Sequence, residues 1–72
     1  MKRDFLITAR KASGLSVREV AKIMEVSPAM INLVENGHRD PSAKLAMRLS
    51  SFFGFNMEFF YEPVHFADKE KA

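Results

Sequence analysis

The stretch SVREVAKIMEVSPAMINLVENG, Ser16–Gly37, decides how this chain is read. Ser16 and Glu19 have the Ser-x-x-Glu spacing of a capping box, in which hydroxyl and carboxylate each satisfy an orphan amide at a helix start. Val20, Ala21 and Met24 follow at the three-and-four spacing of one helix face. Ser27 is a second N-cap residue, and Pro28 falls at the first helical position, where its missing N–H is not needed. Ile31 and Val34 continue the inward face. Asn36-Gly37 then offers two residues that accept a left-handed conformation at a helix end. The stretch therefore predicts two short, capped helices joined by a tight turn.

Working outward, a first helix is expected from about Arg3 to Ala12, with Leu6 and Ala9 inward and Gly14 as its stop. Leu15 is expected to be buried at the corner. Phe5 lies beside the inward face, as core or as rim. The turn between the second and third helices often uses glycine for a left-handed residue. Here that position is Glu25, which costs ~1 kcal/mol or more if the geometry is kept. Either the turn is strained or its geometry differs. After a polar loop, His38–Pro41, Ser42 caps a fourth helix with Leu45, Ala46, Leu49 and Phe53 on its face and Met47 on the flank; Gly54 ends it. Asn56 caps a short fifth helix, MEFFY, stopped by Pro63, and the tail ends in DKEKA. The expected architecture is all-α, a compact five-helix single domain over residues 1–72, with its core at about 3–61 and a C-terminal tail at 62–72.

Composition narrows the function. A chain of 72 residues supports one modest core; at that size only ~60% of the unfolded surface is buried. It has no cysteine, so no disulfide and no thiolate metal site. No apolar run approaches the roughly 20 residues of a membrane span. The opening MKRDFL is basic but has no apolar stretch behind it, so a cytoplasmic protein without a leader is expected. His38 and His65 lie far apart, without metal-ligand spacing. There is no glycine-rich phosphate loop and no nucleophile elbow. No enzyme activity, cofactor, metal, small-molecule ligand or membrane partner is expected. Net charge is +2. Residues 1–48 carry nine Lys and Arg against five Asp and Glu, and residues 49–72 carry two against four. The front is basic and the back is aromatic: every Phe and Tyr except Phe5 lies between Phe52 and Phe66.

Taken together, Arg10, Gly14-Leu15-Ser16, Val20-Ala21, Val26-Ser27, Ile31, Val34-Glu35-Asn36-Gly37, Arg39, Pro41 and the Leu49…Phe53-Gly54 segment resemble the Cro/CI-type helix-turn-helix family of phage and bacterial regulators. The resemblance covers about residues 5–61. It implies a lambda-repressor-like fold with the motif at helices two and three. It also implies an ion pair between Arg10 and Glu35 that ties the first helix to the end of the third. In that family the third helix lies in the major groove and its outward residues read bases.

The outward residues depart from that pattern. Opposite Ile31 and Val34 lie Pro28, Ala29, Asn32 and Leu33. Base edges present donors and acceptors, and only Asn32 among these four can answer them. Val17 stands where the family often has a phosphate-binding glutamine, and Ile23 where a polar residue is usual. Apolar side chains can touch thymine methyls, and phosphate donors are present in Arg18, Lys22, Ser27 through its amide, Arg39 and Lys44, with His38 beside them. Solvated surface charge is the alternative for each. The other reading is a protein-binding face, since an apolar patch rimmed by charge fits a protein better than a polyanion.

By family register Phe53, Phe55 and Phe60 serve the core, which leaves Phe52, Phe59 and Tyr61 as partner surface or as further packing. Within the family, the short chain and these departures resemble the temperate-phage antirepressors termed modulators of repression. That resemblance implies a genetic-switch protein that binds the DNA-binding domain of a CI-type phage repressor and blocks operator binding. Ile23, Pro28, Leu33, Phe52, Phe59 and Tyr61 are then the expected contacts, helped by the carboxylates of Glu25, Asp40, Glu58 and Glu62. The alternative is a Cro-like dimer on operator DNA, with Asn32 on a base edge and Arg18, Lys22, Ser27, Arg39 and Lys44 on phosphates.

Overall fold

A computed structural model describes residues 2–61. Its elements in order are α1 (Asp4–Ala12), α2 (Val17–Met24), α3 (Pro28–Glu35), α4 (Ala43–Phe53) and a one-turn 3-10 helix (Met57–Phe60). Glu62, Pro63, His65, Phe66 and the rest of the tail lie outside the described residues.

The starts of α2, α3 and α4 have a local cause. Ser16 Oγ accepts from the Glu19 N–H at 3.1 Å, and the Ser16 N–H donates to Glu19 Oε1 at 2.8 Å, so both halves of the capping box are formed. Ser27 and Ser42 cap α3 and α4 in the same way, accepting from the Met30 and Leu45 N–H groups, each at 3.1 Å. α1 begins one residue later than expected, because Arg3 is its N-cap. Arg3 has no cap-forming side chain, and its own N–H donates to Glu35 O at 2.7 Å.

The turn after α2 keeps the left-handed geometry. Glu25 has φ 61° and ψ 41°, a conformation in which an L side chain crowds the backbone. The geometry is held by its neighbours: the Glu25 N–H donates to Lys22 O and the Val26 N–H to Ala21 O, while Val26 packs on the core.

The sequence pattern predicts five helices, and the last is not an α-helix. The described residues hold four α-helices and the 3-10 turn. A four-residue segment is too short to repay α-helix nucleation. In a 3-10 turn residues i and i+3 eclipse, and here that puts half-buried Met57 and buried Phe60 on one inward face. Tyr61 falls just beyond it.

The core gathers Leu6 from α1, Val20, Ala21 and Met24 from α2, Ile31 and Val34 from α3, Leu45, Ala46 and Leu49 from α4, and Phe60. The predicted inward stripes of α2 and α3 are buried in full, whereas on α1 only Leu6 joins the core while Ala9 is half-buried, and Phe53 of α4 packs against the core half-buried. Leu15 is half-buried at the corner. Phe5 is half-buried too, with its ring edge-on to Phe55, Phe59 and Phe60 at 5.2, 5.7 and 5.2 Å.

Candidate recognition surface

The outward face of α3 follows from which residues the core takes. Ile31, Val34 and Glu35 are buried, so the opposite side of the helix carries Ala29 and Leu33 one turn apart, with Pro28 and Asn32 beside them. All four are exposed, Leu33 at 37%. The Asn32 backbone carbonyl is occupied, accepting from the Asn36 N–H at 3.0 Å and from Asn36 Nδ2 at 2.8 Å. Its side-chain amide makes no hydrogen bond among the described residues.

On α2 the residues that point away from Val20, Ala21 and Met24 are Arg18, Glu19, Lys22 and Ile23. Arg18 and Lys22 are one turn apart and flank a cleft of about 370 Å³ that they line together with Glu19, Ala21, Val26 and Pro28. Ile23, 41% exposed, is not among the residues lining that cleft. Arg39 and Lys44 are exposed on the loop after α3 and at the start of α4, and so is His38. Ser27 is exposed, with its hydroxyl spent on the cap of α3.

What holds this surface in place is a pair of arginines on α1 and just before it. Arg10 reaches Glu35 with Nε to Oε2 at 2.6 Å and Nη2 to Oε1 at 3.2 Å, a two-pronged pairing, and its Nη1 donates to Leu15 O at 3.0 Å. The side chains are 13% and 5% exposed, so this pair is largely withdrawn from water. It locks the end of α3 to α1. Arg3 does a related job that the sequence did not disclose. Its Nη1 donates to Val34 O at 2.7 Å and to Arg39 O at 3.1 Å, its Nη2 meets Asp40 Oδ1 at 2.6 Å, and its guanidinium lies 5.7 Å from the Phe60 ring centre. Arg3 thus pins the α3–α4 loop and the 3-10 turn together. No spacing signal points to it, because its partners are more than thirty residues away in the chain.

Asp40, one of the carboxylates expected to face a partner, is engaged by Arg3. Glu25 and Glu58 are exposed and make no ion pair among the described residues. Glu19 is engaged in its cap. The Ser16 N–H, and then the Ser16 hydroxyl, hold the Glu19 carboxyl below its ordinary value.

The six apolar residues offered as partner contacts fall into two groups. Ile23, Pro28 and Leu33 belong to the helix-turn-helix. Phe52, Phe59 and Tyr61, 47%, 39% and 41% exposed, belong to the segment where α4 stops and the 3-10 turn begins. There the Phe53, Phe55 and Phe59 rings stack in near-parallel succession, and Phe52 sits edge-on to Phe53 at 4.9 Å. Phe59 is therefore both part of the packed aromatic cluster and part of its surface.

A family profile described as helix-turn-helix matches residues 6–60. Among curated proteins, the chain is 33% identical over 64 residues to an uncharacterized HTH-type transcriptional regulator, YqaF, of Bacillus subtilis, covering 89% of this chain and 84% of that one. It is 40% identical over 55 residues to a second uncharacterized HTH-type transcriptional regulator, MJ0272, of Methanocaldococcus jannaschii, covering 74% of this chain and 83% of the relative. No solved structure matches the chain.

Proposed function

We propose that this chain, which belongs to the Cro/CI-type helix-turn-helix family of transcriptional regulators and not to a family of enzymes, acts in a phage genetic switch as an antirepressor. It binds the DNA-binding domain of a CI-type repressor and keeps that domain off its operator. The observation that carries this reading is the outward face of α3. Leu33, Ala29 and Pro28 are exposed where base-reading side chains would stand, and Asn32 alone there can address a base edge. Exposed Ile23 adds a second large apolar group to the motif. A face of that kind gains more from excluding water against another protein than from a hydrated groove.

Titration against a CI-type repressor from the same genome, with and without operator duplex, tests this. The wild-type chain is expected to bind the repressor and release it from the duplex. Leu33→Asp places a charge on an exposed position, so the fold is retained while repressor binding weakens by about tenfold or more. A duplex shift by the chain alone at nanomolar concentration, with no repressor present, would sink the proposal.

Direct operator binding as a Cro-like dimer is the second reading. The exposed cations Arg18, Lys22, Arg39 and Lys44, together with the exposed Asn32, favour it. It requires binding to duplex DNA that falls steeply as salt rises.

A further inference from the structure

We propose that the cleft between α2 and the start of α3 receives an acidic, apolar segment of the partner protein. An apolar side chain would sit on Ala21, Val26 and Pro28, with a carboxylate beside it held between Arg18 and Lys22. This rests on the repressor-binding reading and specifies what the repressor must present.

The cleft, about 370 Å³ and open to solvent, is lined by two cations, Arg18 and Lys22, by three apolar residues, Ala21, Val26 and Pro28, and by Glu19. Arg18 and Lys22 are one turn apart on α2, are exposed, and make no ion pair among the described residues. The one carboxylate in the lining, Glu19, already accepts the Ser16 N–H. Of the other carboxylates of the helix-turn-helix and the loop after it, Glu35 is engaged by Arg10 and Asp40 by Arg3, while Glu25, next to Val26 in the chain, is exposed and makes no ion pair among the described residues. A cluster of basic DNA-reading side chains placed against this cleft would meet like charge, which weakens binding and slows encounter. A repressor therefore approaches it with a segment that carries acidic residues. A phosphate group could satisfy the cations, but it brings no apolar group of its own for the floor of Ala21, Val26 and Pro28.

The test uses the full chain, a full-length CI-type repressor and an operator duplex as separate titrants. Circular dichroism first checks that Arg18→Glu/Lys22→Glu retains the helical fold; Arg18→Gln/Lys22→Gln replaces it if the reversal unfolds the chain. The charge-reversed chain is expected to bind the repressor about tenfold or more weakly, and the neutral variant to show a flatter dependence of affinity on salt. If Leu33→Asp abolishes repressor binding while both cation variants stay within about twofold of wild type, the acidic-segment proposal is overturned and the repressor reading stands. If the cation variants lose affinity for the duplex but not for the repressor, Arg18 and Lys22 are phosphate contacts and the proposal is again overturned. If the wild-type chain binds no repressor, both fall together.

Discussion

At the scale of single residues, Glu25 breaks a local rule for a tertiary reason. Its φ of 61° is a glycine conformation, kept because Val26 must pack on the core immediately afterwards. Glu25→Gly is expected to raise stability by ~1 kcal/mol. In a chain of this length that is a rise in melting temperature of roughly 4–8 °C. Thermal melts of the two chains decide it, and an unchanged midpoint would show that the turn carries no strain. Arg10 and Glu35 make the opposite case, a pair that satisfies itself in a nearly dry place. Glu35→Leu alone leaves the guanidinium without its carboxylate and is expected to cost about 3–5 kcal/mol in urea unfolding. Adding Arg10→Met to that variant should recover much of the loss. A third residue, Glu19, ties stability to pH. Its carboxyl is held below its ordinary value of 4.5 in the folded chain. The stabilisation is therefore full above that value and is lost as pH falls through the lowered folded value. The acid limb of a stability-against-pH curve is expected to be shallower for Glu19→Gln, which keeps the cap but cannot titrate.

At the scale of elements, the helix-turn-helix is legible in the sequence because it is built from local rules. Caps at Ser16, Ser27 and Ser42, and stripes at three-and-four spacing, are properties of a few adjacent residues. The aromatic end is legible only as composition. Six Phe and Tyr residues crowd Phe52–Tyr61, but which of them face inward depends on a 3-10 turn and on Phe5, nearly fifty residues earlier. Phe60 is the buried member, touched by Phe5, Phe55 and the Arg3 guanidinium. Phe60→Ala is expected to cost roughly 3–4 kcal/mol. Arg3→Met should do something narrower. It removes the donors to Val34 O and Arg39 O and the pairing with Asp40, so amide exchange over His38–Asp40 should quicken while α2 stays protected. Exchange unchanged in that loop would show that Arg3 does not hold it.

At the scale of the whole molecule, the surface is divided in a way that bears on function. The helix-turn-helix presents apolar groups on α3 and, on α2, two cations that pair with no carboxylate among the described residues. The aromatic cluster occupies the end where α4 and the 3-10 turn meet. The described helices include none long and apolar enough to cross a membrane. Partner contacts in the helix-turn-helix and in the aromatic cluster are separable by mutation. Leu33→Asp and Phe52→Ser both alter exposed residues. If one partner spans both sites, each variant weakens binding and their effects add. If only the helix-turn-helix is engaged, Phe52→Ser leaves affinity unchanged. Competition titrations with the same repressor distinguish these outcomes.

Local chemistry by itself determined the four α-helices, the serine caps of α2, α3 and α4, the inward stripes of α2 and α3 and the helix-turn-helix at Ser16–Gly37. These depend on hydrogen bonds and periodicity within a turn or two of chain. Only the tertiary structure decided that Glu25 keeps its strained conformation, that the last segment is a 3-10 turn, and that Asp40 is occupied by Arg3. It also decided that Arg18 and Lys22 border a cleft while Ile23 stands apart from it. Each of those outcomes is set by groups brought together by packing rather than by spacing along the chain, and packing is where side chains far apart in sequence compete for the same carboxylate, ring or turn.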